Sequence, residues 1–258
     1  MIMDNMTITK QTEIAPKIFR IEVRGPLSKE MKNPGQFVNL RISKGIDPTL
    51  RRPISICDVD LENEMLTMIY RVEGKGTKLL SEKIVGEEVN VLGPLGQGFP
   101  VEAANQGNTC VLVGGGVGIP PLYYLGKQLV AMGVRVITIL GFRTANDVFL
   151  EEEFASLGEV IITTEDGSQG IKGFVTDALK KLDGYDLYYT CGPKPMLRAV
   201  EQVATSPGYI SLEERMGCGV GACLACVCDL KERDAETGKA YAKICTDGPV
   251  FLAGEVVL

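Results

Sequence analysis

Cys110-Val-Leu-Val-Gly-Gly-Gly-Val-Gly-Ile-Pro-Pro121 decides how the chain is read. Four apolar residues run without a break, as in a strand buried on both faces of a parallel sheet. Glycines follow in the pattern G-x-G-x-G-x-x-P, and Leu122 to about Met132 then has helical character. The pattern is not G-x-G-x-x-G, because Ile119 stands where the third glycine would be. The physical purpose is similar: a tight turn lets the backbone approach a pyrophosphate at a helix N-terminus. A glycine run by itself can be an ordinary loop, but the strand–turn–helix context strengthens the reading.

Downstream, Val134 to Leu140, Glu159–Thr164 and Leu187–Thr190 read as further strands. Val175–Leu182 and Pro195–Ala204 read as helices between and after them. Strands alternating with helices predict a doubly wound parallel sheet. Thr190-Cys191-Gly-Pro193-Lys-Pro195-Met196 ends one strand and begins a helix at the C-terminal edge of that sheet, where such folds bind ligands. A plain helix start with an early proline would look the same.

Upstream, residues 5 to about 100 consist of short alternating segments: Phe19-Arg-Ile21-Glu-Val23, then Val38, Leu40 and Ile42, then Leu66, Met68, Tyr70 and Val72. Turn-formers punctuate them at Arg24-Gly-Pro26, Asn33-Pro-Gly35, Lys44-Gly45, Gly93-Pro94 and Gly96-Gln-Gly98. This spacing predicts an antiparallel barrel or sandwich. Arg51-Arg52-Pro53-Ile54-Ser55 lies within it. An arginine there can clamp a phosphate, and the serine hydroxyl can bond a ring nitrogen. Tyr70-Arg71-Val-Glu-Gly74-Lys-Gly76-Thr77 precedes a short helical stretch at Lys78–Lys83 and offers a second candidate phosphate seat.

After Ser206 periodicity fades and cysteines crowd together. Cys218, Cys223 and Cys226 are spaced C-x4-C-x2-C, and Cys245 follows after a gap of 18 residues. This is the plant-type arrangement for a [2Fe–2S] cluster, in which each iron takes two thiolates. Gly217, Gly219 and Gly221 let the backbone wrap tightly with N–H groups aimed at sulfur. A zinc site or a disulfide pair is the alternative; zinc sites favour two C-x2-C knuckles, and only one such spacing occurs here. Cys228 is a fifth thiol between Cys218 and Cys245, read as a small apolar residue on a departing strand and left out of the ligand set. Thr237-Gly238 is the expected hairpin tip that returns Cys245 to the loop. The segment is too short to build much core alone, so the metal must help fold it.

The 258 residues accommodate two or three compact units, placed here at 1–101, 102–206 and 207–258. A net charge of −6 argues against a nucleic-acid partner. No run approaches the about 18 apolar residues that span a bilayer. Met1-Ile-Met-Asp-Asn-Met-Thr lacks the basic and apolar regions of a signal peptide, so the eight cysteines are expected to be reduced, cofactor-binding thiols in the cytoplasm. Histidine is absent. That excludes a histidine triad, a histidine proton shuttle and histidine metal ligation.

R-P-I-S, G-x-x-T, G-P-L-G-x-G-F at Gly93–Phe99, G-G-G-V-G-I-P-P and C-G-P-x-P-M occur in that order. Over about residues 5–205 the chain thereby resembles the ferredoxin–NAD(P) reductase superfamily. C-G-V-G-A-C-x-A-C and Cys245-Thr-Asp-Gly-Pro-Val-Phe251 make the whole chain similar to the electron-transfer subunits of NAD-dependent (class B) dihydroorotate dehydrogenases. The resemblance implies an α+β multi-domain chain: an antiparallel β-barrel for FAD, a doubly wound α/β sheet for NAD, and a small C-terminal [2Fe–2S] unit. It implies that Arg52, Pro53, Ile54, Ser55, Ile69, Tyr70 and Arg71 bind FAD, with Gly76 and Thr77 at its pyrophosphate. Gly114, Gly116 and Gly118 would line the nicotinamide dinucleotide site, with Cys191 as the catalytic position beside the ring. Cys218, Cys223, Cys226 and Cys245 would hold the cluster. The implied partner is an FMN-containing catalytic subunit that oxidises dihydroorotate for pyrimidine (UMP) biosynthesis, in a heterotetramer of two of each. Close approach to it predicts an exposed apolar patch around Cys218–Cys226 and Pro249–Leu252. Two other functions stay open at this point. One is a reductase serving a sulfide dehydrogenase, hydrogenase or oxygenase. The other is a non-enzymatic redox sensor, which would have no need of the R-P-I-S site.

Overall fold

A computed structural model describes residues 1–258 apart from Lys44, Ile46 and Glu236, so the turn expected at Lys44-Gly45 lies partly outside the described residues. The N-terminal unit is a closed antiparallel barrel of β1 (Ile2–Ala15), β2 (Ile18–Arg24), β3 (Phe37–Arg41), β4 (Arg52–Asp60), β5 (Met65–Arg71) and β6 (Glu88–Leu95), ordered β1-β2-β5-β4-β3-β6. Closure leaves one stretch of strand edge open along the barrel wall, between Arg52–Ser55 of β4 and Ile69–Arg71 of β5. Alternate residues fill its interior: Met6, Ile8, Ile21, Val23, Val38, Leu40, Leu66, Met68, Val89 and Val91. Helix α1 (Lys75–Ser81) starts three residues earlier than the expected Lys78–Lys83, because Thr77 caps its first turn.

In β3 the expected half-buried alternation fails. Phe37, Val38, Asn39 and Leu40 are all buried. Val38 and Leu40 face the barrel interior, while Phe37 belongs to the core shared with the C-terminal segment. The outer face of this strand is covered by another part of the chain.

The second unit is a seven-stranded sheet ordered β10-β9-β8-β7-β11-β12-β15. Its strands are β7 (Thr109–Gly115), β8 (Arg135–Phe142), β9 (Glu159–Thr164), β10 (Ile171–Lys172), β11 (Leu187–Cys191), β12 (Gly208–Ser211) and β15 (Val250–Leu252). All pairings are parallel except β12 with β15. The sheet is flanked by α2 (Pro120–Ala131), α3 (Glu151–Ala155), α4 (Val175–Leu179) and α5 (Lys194–Val203). Helix α4 is three residues shorter than expected.

Barrel and sheet share one core. Ala15, Ile18, Cys57 and Ile69 of the barrel join Leu112, Leu122 and Leu125. At its rim Lys127 Nζ lies 2.7 Å from Asp58 Oδ1. Those side chains remain 38% and 22% exposed, so the pair contributes at most about 1 kcal/mol. Burial of the shared apolar surface holds the two units together.

The cysteine-rich segment is built onto both units. Its β12 and β15 extend the parallel sheet, and its hairpin of β13 (Val227–Asp229) and β14 (Tyr241–Lys243) pairs Val227 with Lys243. At the hairpin tip Thr237 N donates to Asp234 Oδ1 (2.7 Å), and Gly238 N donates to Asp234 O (2.8 Å). Cys226, Cys228, Ala242, Ile244, Cys245 and Phe251 join Phe37, Leu95, Leu197 and Ile210 in one core. The expected apolar surface is therefore only half right. Pro249, Val250 and Phe251 are buried between barrel and sheet, whereas Leu224, Val227, Tyr241 and Leu252 are exposed. Among the described residues no helix is long and apolar enough to cross a membrane.

Candidate functional site

The barrel ladder opens at one place. Strand β4 pairs with β5 only from Ile56, opposite Met68, onward. Before that point Arg52–Ser55 pair with β3, and Ile69–Arg71 pair with β2. Between these stretches two backbone edges face each other with no ladder between them, and unpaired N–H and C=O groups need partners. A cleft of about 230 Å³ lies there, lined by Pro53, Ile54, Ser55, Ile69, Tyr70 and Arg71. A flat heteroaromatic ring with donors and acceptors along its edges suits such an opening. Tyr70 is 2% exposed and stacks on Phe19 at 5.9 Å, which stiffens the wall.

Six of the residues predicted to bind FAD thus meet in one cleft. Arg52 turns away from it, donating to the Leu50 carbonyl, and stands where a Cβ on Gly76 would be. Thr77 Oγ1 accepts from Glu73 N (3.1 Å) and Gly74 N (3.2 Å). Arg52, Gly76 and Thr77 form a separate group beside the cleft.

The opposite wall comes from Val117 of the glycine run and Pro249 of the motif after Cys245, together with residues that sequence patterns do not single out: Phe37 of β3 and Ser211, Glu213 and Met216 of the C-terminal segment. Glu213 is exposed along the cleft, yet enclosed by protein on its other sides. That desolvation raises its pKa; Glu73 adds to the effect and Arg71 opposes it. Glu213 lies two residues past β12, in the stretch where sequence periodicity has faded, so the sequence carries no signal for it.

The glycine run behaves in two ways. A Cβ on Gly118 would fall 2.5 Å from the carbonyl of Cys191, and one on Gly114 would press on Ile119 at 2.8 Å. Gly118 is required by close packing of the turn against β11, and Gly114 by packing of β7 against the start of α2. Gly116 instead has φ +53 and opens toward the Arg71 guanidinium, 3.2 Å from where its Cβ would be. Helix α2 then starts with Pro120. Cys191, 1% exposed, ends β11 beside this turn. Burial pushes its thiol far up, Glu213 adds to that, and the Ser211 hydroxyl opposes it. It is therefore a neutral thiol, suited to packing and contact and not to nucleophilic attack.

In the cysteine loop, backbone N–H groups point at sulfur. Val220, Ala222 and Cys223 N donate to Cys218 Sγ at 3.3–3.4 Å, and Gly221 N donates to Cys245 Sγ at 3.2 Å. Gly219 and Gly221 have φ +72 and +79, and Leu224 also adopts the left-handed region at +56. A leucine in that conformation is strained and marks a loop shaped for a bound group. Burial works against ionisation of Cys218, but the N–H donors outweigh it and bring its thiol down to about 6. Cys245 is 1% exposed, and burial together with the Cys226 sulfur pushes it up to about 11. Crowded sulfurs that resist joint ionisation call for a cation between them. Among the described residues no three histidine, cysteine or carboxylate side chains converge as a single-ion site requires. A two-iron cluster divides four thiolates into two pairs, so the N–H···S pattern is the better test of fit, and the loop meets it. Ile244 N donates to Cys226 O (2.9 Å), which seats Cys245 beside Cys226. Cys228 points into the core, and burial raises its thiol.

Comparison with known proteins places this geometry in a family. A family model described as the iron–sulfur cluster binding domain of dihydroorotate dehydrogenase B matches residues 213–257, and an oxidoreductase NAD-binding domain model matches 112–202. The chain is 56% identical over 256 residues to the dihydroorotate dehydrogenase B (NAD(+)) electron transfer subunit of Bacillus cereus, covering 98% of both chains. Its fold superposes on the structure of an NADH-dependent reduced ferredoxin-NADP oxidoreductase, with TM-score 0.85, 32% identity, and 98% and 89% of the two chains covered. It also matches the fold of a ferredoxin NADP+ reductase from Neisseria gonorrhoeae crystallised with FAD and NADP, with TM-score 0.67, 18% identity, and 78% and 89% covered. The chain belongs to the family of dihydroorotate dehydrogenase B (NAD(+)) electron transfer subunits.

Proposed function

We propose that this chain accepts electrons from an FMN-containing catalytic subunit that oxidises dihydroorotate, and delivers them to NAD+ in UMP biosynthesis. When bound, the cluster would supply one-electron transfer and FAD hydride chemistry, for the overall conversion of dihydroorotate and NAD+ to orotate, NADH and a proton. The observation that carries this reading is convergence. The open barrel ladder, Val117 of the glycine turn, and the segment leading into the cysteine loop all wall one cleft, with Cys191 packed behind that turn.

Pro53, Ile54, Ser55, Ile69, Tyr70 and Arg71 present backbone edges and side chains to the flavin ring. Arg52, Gly76 and Thr77 serve its pyrophosphate. Gly116 lets the dinucleotide approach the start of α2, Gly114 and Gly118 shape that turn, and Cys191 supports the nicotinamide end. Cys218, Cys223, Cys226 and Cys245 ligate the irons. Hydride transfer between two stacked rings needs positioning and exclusion of water, not a general base, which accords with a histidine-free chain. Leu224, Val227 and Tyr241, exposed around Cys223, form the surface the catalytic subunit covers, two of each chain assembling in the cytoplasm. Purification of the chain from its native host is expected to recover, in equal amount, a chain that carries FMN and oxidises dihydroorotate. Recovery with a sulfide dehydrogenase, hydrogenase or oxygenase chain instead would overturn the reading.

NADH is expected to be preferred over NADPH. At the sheet edge Asp147 Oδ2 is spent on capping Thr144, accepting from its N (3.1 Å) and Oγ1 (3.0 Å). Arg143 and, on the next strand, Lys172 stand there with Glu165 and Asp166, all exposed. Among the described residues these two bases are matched by two acids, a poor seat for a 2′-phosphate. Diaphorase rates with equal concentrations of NADH and NADPH test this, and a clear preference for NADPH would refute it.

A further inference from the structure

Asn39 is an amide where a barrel strand should carry either an exposed polar residue or an apolar contact. It lies on the outer face of β3 and is 1% exposed, covered by the cysteine loop. Its Nδ2 donates to the carbonyl oxygen of Cys218 at 3.3 Å, while its Oδ1 is buried with no hydrogen-bond partner. A half-satisfied buried amide is costly, and an apolar side chain of the same size would avoid that cost. The backbone around it is held firmly: Arg51 Nη1 donates to Asn39 O at 3.0 Å, and Asn39 pairs in register with Pro53 of the open ladder. On the other side the fit is close, since a Cβ on Gly219 would stand 2.6 Å from Asn39 Nδ2.

We propose that Asn39 is a positioning residue for electron transfer, tying the Cys218 carbonyl to the strand that carries the flavin-facing Pro53–Ser55 edge. One hydrogen bond and one strand pairing then connect the first cluster ligand to the flavin cleft. The second attachment of the segment lies at its other end, where Gln97 N donates to Gly248 O (2.7 Å) and Gln97 Nε2 to Thr246 O (3.1 Å). That contact secures the strand after Cys245 and leaves the Cys218 turn to Asn39.

This inference rests on the cofactor assignment above, and its test separates the two. In the complex with its catalytic subunit, Asn39→Asp keeps the shape and removes the donor, and Asn39→Leu replaces the amide by an apolar group of similar volume. Rapid mixing with NADH resolves flavin reduction from cluster reduction, and the reduced cluster has its own EPR spectrum. Flavin reduction is expected to be unchanged in both variants. Cluster reduction is expected to slow about 10-fold, the usual effect of losing a hydrogen bond behind a metal ligand, with shifted EPR g-values. Wild-type cluster kinetics and EPR in both variants would overturn the proposal. So would loss of bound iron and sulfide, or an equal slowing of flavin reduction, since either would reduce Asn39 to a folding role. Absence of a [2Fe–2S] signal from the unmodified complex would remove the cofactor assignment and this inference with it.

Discussion

Cys245→Ser is expected to abolish the [2Fe–2S] visible and EPR spectra and dihydroorotate-linked reduction of NAD+, while Cys228→Ser leaves all three in place. The two thiols lie on one short hairpin, and their surroundings differ in kind. Cys245 follows β14 at the point where Ile244 N bonds to Cys226 O, and its sulfur accepts from Gly221 N. Cys228 sits within β13, opposite Ala242, with its side chain in the apolar core. Burial and a nearby sulfur push the Cys245 thiol up to about 11, so its thiolate needs iron charge to form. A serine there ionises with far more difficulty and bonds iron poorly. The C-terminal segment should also lose thermal stability, because metal binding contributes to folding where apolar burial is thin. Flavin content and NADH diaphorase activity should survive, since the Pro53–Ser55 and Ile69–Arg71 wall is held by the barrel strands β3 and β2. Loss of the spectrum in Cys228→Ser with retention in Cys245→Ser would reverse the ligand assignment.

Legibility in the sequence followed the physics of each element. The parallel strands could be read because they are buried on both faces and appear as unbroken apolar runs, as Cys110–Val113 does. The cysteine loop could be read because cluster ligation fixes spacing along the chain. Strand β1 could not, because Ile2–Ala15 is mostly exposed and only Met6, Ile8 and Ala15 are buried in it. The burial of Phe37 and Asn39 was hidden for the opposite reason: the residues that cover them are far along the chain. The same holds for half of the cleft. Pro53–Ser55 and Ile69–Arg71 stood out as motifs, but Phe37, Ser211, Glu213 and Pro249 converge only once β12 and β15 join the sheet beside the barrel. Gly114 and Gly118 also have a packing reason that only contacts reveal.

Purified alone and loaded with flavin, the chain is expected to reduce artificial acceptors with NADH and to show no activity with dihydroorotate. Oxidation of that substrate breaks a C–H bond, which needs a base beside a second flavin and a pocket for a carboxylated ring. The cleft lined by Pro53–Ser55, Ile69–Arg71 and Val117 of the glycine turn carries three carboxylates on its walls, Glu73, Glu213 and Glu214. Glu213 has its pKa raised by desolvation, as a general base would, so geometry must decide. Its neighbours are Arg71, Glu73 and the neutral Cys191 thiol, and it faces the space between the barrel edge and the glycine turn. Bound flavin and nicotinamide would occupy that space, so a substrate ring would have to compete with them for it. A carboxylate substrate would meet three acids and a single arginine there, a poor match in charge. Among the described residues the cysteine loop has its own exit to the surface at Cys223 and Leu224, where electrons can enter without passing the cleft. Adding the FMN-containing subunit should therefore restore dihydroorotate-linked turnover in full. Reduction of NAD+ by dihydroorotate with the pure single chain would show instead that the Glu213 cleft performs the C–H chemistry itself.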